Sequence, residues 1–273
     1  MEYLTPILDT AIRAARGAGQ IILEQRNALQ VDFKSATEVV TGTDRAAEAS
    51  IVATIRQAFP DHEFFAEESA QRASLVAPRL WIIDPLDGTS NFANGIPQYA
   101  VSIAFAQDGV VKAGVVFDPV RDELFSAIRG QGASMNGCPI HVSGKDELRH
   151  AIVATGFAYD RGTLMVNTLN TVRTLFEQGI RGIRRFGSAA LDLSWVACGR
   201  FDAYFEYSLC KWDFAAGALI LEEAGGALSS HTGGPFTLDA TGAITSNGLL
   251  HDRMLALTTW PKDDDAKGAQ KQG

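Results

Sequence analysis

The sequence has few cysteines and no long apolar run. Its three cysteines, Cys138, Cys198 and Cys210, are odd in number and widely spaced. This pattern excludes a disulfide framework and a zinc-type spacing, and it is expected for a protein of a reducing cytoplasm. No apolar run is long enough to span a membrane and no signal peptide is evident, so we expect no membrane partner.

Basic residues are also too few to balance the acidic ones, and the 273 residues carry a formal net charge of −8. This balance argues against a general nucleic-acid surface and favours a small-molecule partner. An acidic protein that acts on an anionic substrate needs a local counter-charge, which indicates bound metal ions. The five histidines are scattered, and none is assigned to catalysis.

The pattern of predicted elements changes near His150. Before it, two predicted helices, one to about Arg26 and one from Asp44 to about Phe59, are followed by strands joined through tight turns such as Asp108-Gly109. These strands form an antiparallel meander of α+β character. From Ala151 strands and helices alternate, which indicates an α/β half. We therefore predict an N-terminal half over residues 1–150, a C-terminal half over 151–262, and a disordered polar tail over 263–273.

The run from Leu80 to Phe92 carries the strongest signal for chemistry. Its apolar start predicts a buried strand, and Pro85 is expected to end that strand because proline has no amide donor. Asp84 and Asp87 should therefore emerge together at the end of a strand, where open α/β sheets usually bind ligands.

Clustered carboxylates suit a hard cation, and the small residues Gly88 and Thr89 leave backbone amides free to face a phosphate. From the residues alone, two alternatives stay open. A surface turn is common for Asp-Pro and Asp-Gly, and an aspartate nucleophile could form an aspartyl phosphate. The nucleophile pattern places its second acid two residues further on, whereas Asp84 and Asp87 are three apart, so metal ligation fits better.

Three motifs follow one another along the chain: Glu67-Glu68-Ser69, then DPLDGTSNF from Asp84 to Phe92, then Trp212-Asp213-Phe214-Ala215-Ala216-Gly217. In this order they resemble the motifs of the inositol monophosphatase family. The resemblance runs from about Leu4 to Trp260. It implies a Mg²⁺-dependent, lithium-sensitive phosphomonoesterase that is cytoplasmic and homodimeric, with the layered αβαβα sandwich of the sugar phosphatases.

The resemblance also implies the metal ligands. Glu67, Asp84 and the carbonyl of Leu86 would bind one Mg²⁺, and Asp84, Asp87 and Asp213 a second. A looser third ion would lie near Glu67, and Mn²⁺ would substitute for Mg²⁺. From the residues alone, Asp213 is better explained as an ordinary acid in the first turn of a helix.

Catalytic and substrate-binding roles follow from the same resemblance. Glu67, Asp44 and Thr89 are the expected catalytic residues, with Thr89, linked to Asp44, helping to deprotonate the attacking water. The amides of Gly88 and Thr89 would bind phosphate, and Lys34 would lie on a loop that closes over the metals. The expected contacts to the sugar or polyol are Gly187, Ser188, Ala189 and Glu206.

A carboxylate such as Glu206 accepts hydrogen bonds from vicinal hydroxyls, which favours inositol monophosphate or a similar polyol phosphate as substrate. Enzymes that share the metal motifs are the alternatives: fructose-1,6-bisphosphatase, histidinol phosphatase and bisphosphate nucleotidase. A further alternative is a regulatory binding protein that keeps the fold without turnover.

Overall fold

The computed structural model describes residues 3–26, 31–33, 39–69, 73–158 and 161–258. Lys34 and the predicted tail over 263–273 lie outside these ranges. The division of the chain near His150 into two halves stays a prediction.

The described residues form the following α-helices and β-strands, together with a 3-10 helix over Leu148–His150. The helices are α1 Leu4–Gln25, α2 Gly42–Ala58, α3 Thr89–Ala93, α4 Thr163–Glu177, α5 Ala189–Ala197, α6 Lys211–Glu223 and α7 His251–Leu257. The strands are β1 Val31–Phe33, β2 Val39–Thr41, β3 Glu63–Ala66, β4 Leu80–Asp87, β5 Ala100–Gln107, β6 Val110–Asp118, β7 Glu123–Ile128, β8 Ala133–Met135, β9 Cys138–Ile140, β10 Ile152–Thr155, β11 Gly182–Arg184, β12 Ala203–Glu206, β13 Ala227–Ser230 and β14 Ala243–Ser246.

Within those ranges the larger sheet has seven strands in the order β3-β4-β5-β6-β7-β8-β9. Only the pairing of β3 with β4 is parallel. Strands β5 to β7 form the predicted antiparallel meander, and β4, β8 and β9 extend it. The turn between β5 and β6 has positive φ at Asp108 (51°) and Gly109 (78°). A two-residue hairpin of this kind needs that conformation, which explains why the Asp-Gly signal was reliable.

Strand β4 extends further than the sequence predicts. It passes through Pro85 to Asp87, and its register with β5 shifts between the pairs Asp84–Ser102 and Asp87–Ala100. The extra residue forms a bulge, where a proline without an amide hydrogen is tolerated. The prediction that Pro85 ends the strand is wrong, but both aspartates still lie at the carboxyl end of β4.

The smaller sheet has five strands in the order β11-β10-β12-β14-β13, counted over the described part of the chain. Strand β10 is parallel to β11 and β12, whereas β14 is antiparallel to β12 and β13. The predicted βα alternation therefore holds as far as α6, and an antiparallel pair follows it.

These elements stack in five layers. Helices α1 and α2 cover one face of the larger sheet, with Ile7 and Ile51 packed in one buried cluster with Trp81 and Phe105. Helices α5 and α6 lie between the two sheets. Helices α4 and α7 cover the outer face of the smaller sheet. The αβαβα sandwich is thus confirmed. None of the helices that the structure describes is both long and apolar enough to cross a bilayer.

Candidate active site

A cavity of about 330 Å³ lies at the carboxyl ends of β4, β10 and β12 and at the first residues of α5 and α6. It gathers residues that are far apart in the sequence. The predicted site residues that line it are Glu67, Asp84, Leu86, Asp87, Gly88, Thr89, Gly187, Ser188, Ala189, Glu206 and Asp213. Asp44 lies behind Thr89 and contacts it.

Five carboxylates line this cavity, and four of them, Glu67, Asp84, Asp87 and Asp213, repel one another. Burial, and then repulsion by Glu67, Asp87 and Asp213, raises the pKa of Asp84 well above its usual range. Burial, followed by the charge of Asp87, also raises the pKa of Asp213 well above its usual range. Burial raises the pKa of Asp87 to about 6. Such a cluster favours a cation that neutralises it.

The donor set fits a hard cation. Asp84 Oδ1 accepts a hydrogen bond from the Leu86 amide at 3.0 Å, and Asp213 Oδ2 accepts one from the Cys210 amide at 2.7 Å. Among the described residues, no hydrogen bond from the chain reaches the second oxygen of either carboxylate. As the side chains of the described residues lie, no three acidic, thiol or imidazole groups could hold an ion together. Carboxylate and carbonyl oxygens are nevertheless the ligand type that a hard cation such as Mg²⁺ prefers.

Asp87 joins the larger sheet to the start of α5. Its Oδ2 accepts hydrogen bonds from Ser188 Oγ and from the Ala190 amide, both at 2.7 Å. Ser188 also caps α5, because its side chain accepts from the Leu191 amide. The structure thus places Ser188 against a predicted metal ligand, and its contact to the substrate stays a prediction.

Thr89 and Asp44 are adjacent, as the resemblance implied. Thr89 Oγ1 lies 2.9 Å from Asp44 Oδ1 and 3.0 Å from the Leu86 carbonyl oxygen. Gly88 precedes this pair with φ of 100°, and a Cβ there would lie 2.8 Å from the Gln98 carbonyl oxygen. Only glycine fits at this position.

Two buried residues that support the site were not predicted. Glu48 accepts a hydrogen bond from the Glu68 amide at 2.7 Å and so ties α2 to the end of β3. It lies four residues after Asp44 on the same helical face, a spacing that could have revealed it. Asn91 donates to the Phe186 carbonyl oxygen at 2.7 Å and joins α3 to the loop before α5.

Further unpredicted residues surround Glu206. Tyr204 donates its hydroxyl hydrogen to Glu206 Oε2 at 2.6 Å. Burial raises the pKa of Glu206 to about 7. Asp192 of α5 is buried, and its Oδ1 has no hydrogen-bond partner among the described residues. Burial, and then repulsion by Glu206, raises the pKa of Asp192 well above its usual range.

Known proteins resemble the chain along nearly its whole length. The profile of the inositol monophosphatase family matches residues 3–261. A Pseudomonas aeruginosa protein named Nus factor SuhB is 45% identical over 251 residues, which cover 89% of this chain and 92% of that protein. The crystal structure of extragenic suppressor protein SuhB from Bartonella henselae has a TM-score of 0.88 at 36% identity and covers 93% of this chain and 98% of that one.

The structure of inositol monophosphatase from Anabaena has a TM-score of 0.84 at 39% identity, and it covers 93% of this chain and 96% of that one. Motifs, fold and site geometry agree with these similarities. The chain therefore belongs to the inositol monophosphatase family of phosphatases.

Proposed function

We propose that the protein is a Mg²⁺-dependent phosphomonoesterase that hydrolyses inositol monophosphate, or a similar polyol or sugar phosphate, to the alcohol and phosphate. The observation that supports this most is that Glu67, Asp84, Asp87 and Asp213 line one cavity beside Thr89. Without cations this cavity would repel a phosphate, whereas bound cations would attract it.

In this proposal the carboxylates of the cavity would be metal ligands. Glu67, Asp84 and the Leu86 carbonyl would hold one Mg²⁺, and Asp84, Asp87 and Asp213 a second. A looser third ion near Glu67 and substitution by Mn²⁺ belong to the same proposal. When bound, Mg²⁺ lowers the pKa of water and neutralises charge that develops on the phosphoryl and leaving oxygens.

Thr89 and Asp44 would move the proton of the attacking water. The Thr89 hydroxyl has one hydrogen, and when it donates this hydrogen to Asp44 its lone pairs can accept another. As water attacks phosphorus and the opposite bond from phosphorus to the ester oxygen breaks, one water proton would pass to Thr89 and the Thr89 proton to Asp44. The departing ester oxygen would take up a proton from solvent and leave as the alcohol. The amides of Gly88 and Thr89 would hold the phosphoryl oxygens during this step.

The direct test is phosphate release from a panel of phosphomonoesters with purified protein. We expect hydrolysis of inositol monophosphate that requires Mg²⁺, is restored by Mn²⁺ after chelation, and is inhibited by millimolar lithium. Higher kcat/KM on fructose 1,6-bisphosphate, histidinol phosphate or a bisphosphate nucleotide would transfer the assignment to that substrate. Absence of release from every member of the panel would contradict the proposal.

The Thr89 hydroxyl is tested by two substitutions. Thr89→Val keeps the shape of the side chain but removes the hydroxyl, and we expect kcat to fall by about a hundredfold or more. Thr89→Ser keeps the hydroxyl and should stay within a few-fold of the wild type. Both variants should retain the rise in melting temperature that Mg²⁺ causes. Equal kcat for Thr89→Val and the wild type would remove Thr89 from the proton path.

A second, compatible function is supported by the name of the Pseudomonas relative, Nus factor SuhB. We propose the same role for this chain, as the regulatory binding protein that the sequence left open. The test is to replace the relative's gene by this one, as wild type and as Asp213→Asn. Growth with both would support a binding role that needs no turnover, and growth with neither would contradict it.

A further inference from the structure

We propose that Tyr204 is a positioning residue that holds Glu206 so that one carboxylate oxygen meets a hydroxyl group on the alcohol part of the substrate. This inference rests on the proposed function, because it concerns how the phosphatase cavity recognises its alcohol. It assigns a role to a residue outside the cavity lining.

Strand geometry brings the two side chains together. Successive residues of a strand face opposite sides, so Tyr204 and Glu206 share one face of β12. Tyr204 packs with the helices between the sheets, whereas Ala203 and Phe205 pack in the outer cluster. From this shared face the phenol reaches along the strand to Glu206 Oε2, 2.6 Å away. A hydrogen bond this short to a carboxylate belongs to the strong class.

Burial makes this hydrogen bond difficult to replace. Tyr204 has no solvent-exposed surface, so water cannot take the place of Glu206 as the acceptor of its hydroxyl hydrogen. An unpaired hydroxyl at a buried position costs free energy. Any rotation of Glu206 away from Tyr204 is therefore opposed.

Gly156 restricts Glu206 from the other side. This residue follows β10, which is parallel to β12. A Cβ added to Gly156 would overlap both carboxylate oxygens of Glu206. The carboxylate thus packs directly on the glycine backbone, and this space exists only because residue 156 has no side chain.

The two restraints leave the carboxylate oxygens with different roles. Oε2 is engaged by Tyr204, and among the described residues Oε1 receives no hydrogen bond from the chain. Glu206 lines the cavity, so Oε1 is the oxygen left for a ligand. Above its pKa of about 7 the Glu206 carboxylate is ionised and only accepts hydrogen bonds. It therefore selects a hydroxyl donor on the alcohol and disfavours a second phosphate of like charge.

The test compares inositol monophosphate with nitrophenyl phosphate, whose alcohol carries no further hydroxyl. Selectivity is the ratio of kcat/KM on the first substrate to kcat/KM on the second. Because Tyr204→Phe removes only the hydroxyl, we expect it to lower this selectivity by about tenfold, the loss of one charge-assisted hydrogen bond.

Tyr207→Phe is a matched control on the same segment. The Tyr207 hydroxyl lies 2.6 Å from Thr171 Oγ1, is also buried, and belongs to the outer cluster rather than to the cavity. Both variants should unfold at lower temperature than the wild type. Only Tyr204→Phe should lose selectivity.

A double-mutant cycle shows whether Tyr204 acts through Glu206. In the Glu206→Ala background, which leaves Tyr204 no side-chain acceptor at residue 206, Tyr204→Phe should leave selectivity unchanged. The positioning role would be overturned if Tyr204→Phe caused the same tenfold loss of selectivity in that background. It would also be overturned if Tyr204→Phe alone left selectivity unchanged, or lowered kcat/KM equally on both substrates. None of these results would affect the phosphatase assignment. A wild type that hydrolyses neither substrate would overturn both.

Discussion

Asp213→Asn is expected to lower kcat on inositol monophosphate by about a thousandfold, which corresponds to about 4 kcal/mol of transition-state stabilisation. The proposed second metal position would lose one of its three carboxylates. Asparagine keeps an oxygen that accepts the hydrogen bond from the Cys210 amide. The local structure at the start of α6 should therefore survive the change, and the loss should lie in metal binding and turnover.

The same variant should be at least as stable as the wild type when no metal is present. Asp213 contributes to the repulsion that raises the pKa of Asp84. Removal of its charge therefore reduces the electrostatic repulsion among the remaining carboxylates. Added Mg²⁺ should then raise the melting temperature of the wild type more than that of Asp213→Asn. Thermal unfolding with and without Mg²⁺ measures both effects.

Asp252→Asn is the matched control for this experiment. Asp252 lies in the first turn of α7 as Asp213 lies in the first turn of α6, but it is exposed and away from the cavity. If Asp213 served only the helix dipole, the two variants would behave alike. Near wild-type turnover by Asp213→Asn would remove it from the metal site.

The sequence predicted the parts of the molecule in which local chemistry and tertiary structure agree. The stretch from Leu80 to Phe92 combines an apolar strand, small turn-forming residues and acidic side chains, and each of these features needs only neighbouring residues. The hairpin at Asp108-Gly109 is of the same kind. Both were predicted correctly in outline because neighbouring residues determine the backbone conformation that they need.

Other features depend on contacts that no local pattern contains. The bulge that carries β4 through Pro85 depends on the register with β5. Strand β14 is held by antiparallel pairing with β12 and β13, which depends on residues distant in the sequence. Asp192 lies in an apolar helix, and only the tertiary fold shows that Glu206 and Asp87 are near enough to raise its pKa.

A second large effect is expected far from the cavity, at Asp202. This carboxylate has no exposed surface and accepts hydrogen bonds from Ser143 Oγ at 2.6 Å, Lys145 Nζ at 2.9 Å and the Ile152 amide at 2.7 Å. These hydrogen bonds link the segment that follows β9 to the start of β10. Asn247 adds to the same junction by donating to the Lys145 carbonyl oxygen at 2.7 Å.

Asp202→Asn should lower the free energy of unfolding by about 3 kcal/mol, the lower end for a broken buried pair. The NH₂ group of asparagine would replace a carboxylate oxygen that accepts hydrogen bonds, so two donors would face each other. Lys145 would also lose the negative charge with which it pairs. Lys145 is 37% exposed, so water offsets part of its loss, which places the effect at this lower end. Urea unfolding measures the change, and the melting temperature should fall by roughly 6–10 °C.

Asp122→Asn provides the comparison that separates burial from charge. Asp122 pairs with Arg16 at 3.0 Å, but the two side chains are 75% and 49% exposed. Water screens such a pair, so its loss should cost less than about 1 kcal/mol. The φ of 51° at Asp122 suits asparagine as well. Equal losses in the free energy of unfolding would mean that the loss follows from the change in net charge alone. The hydrogen bonds of buried Asp202 would then not be what holds the smaller sheet to the segment that precedes it.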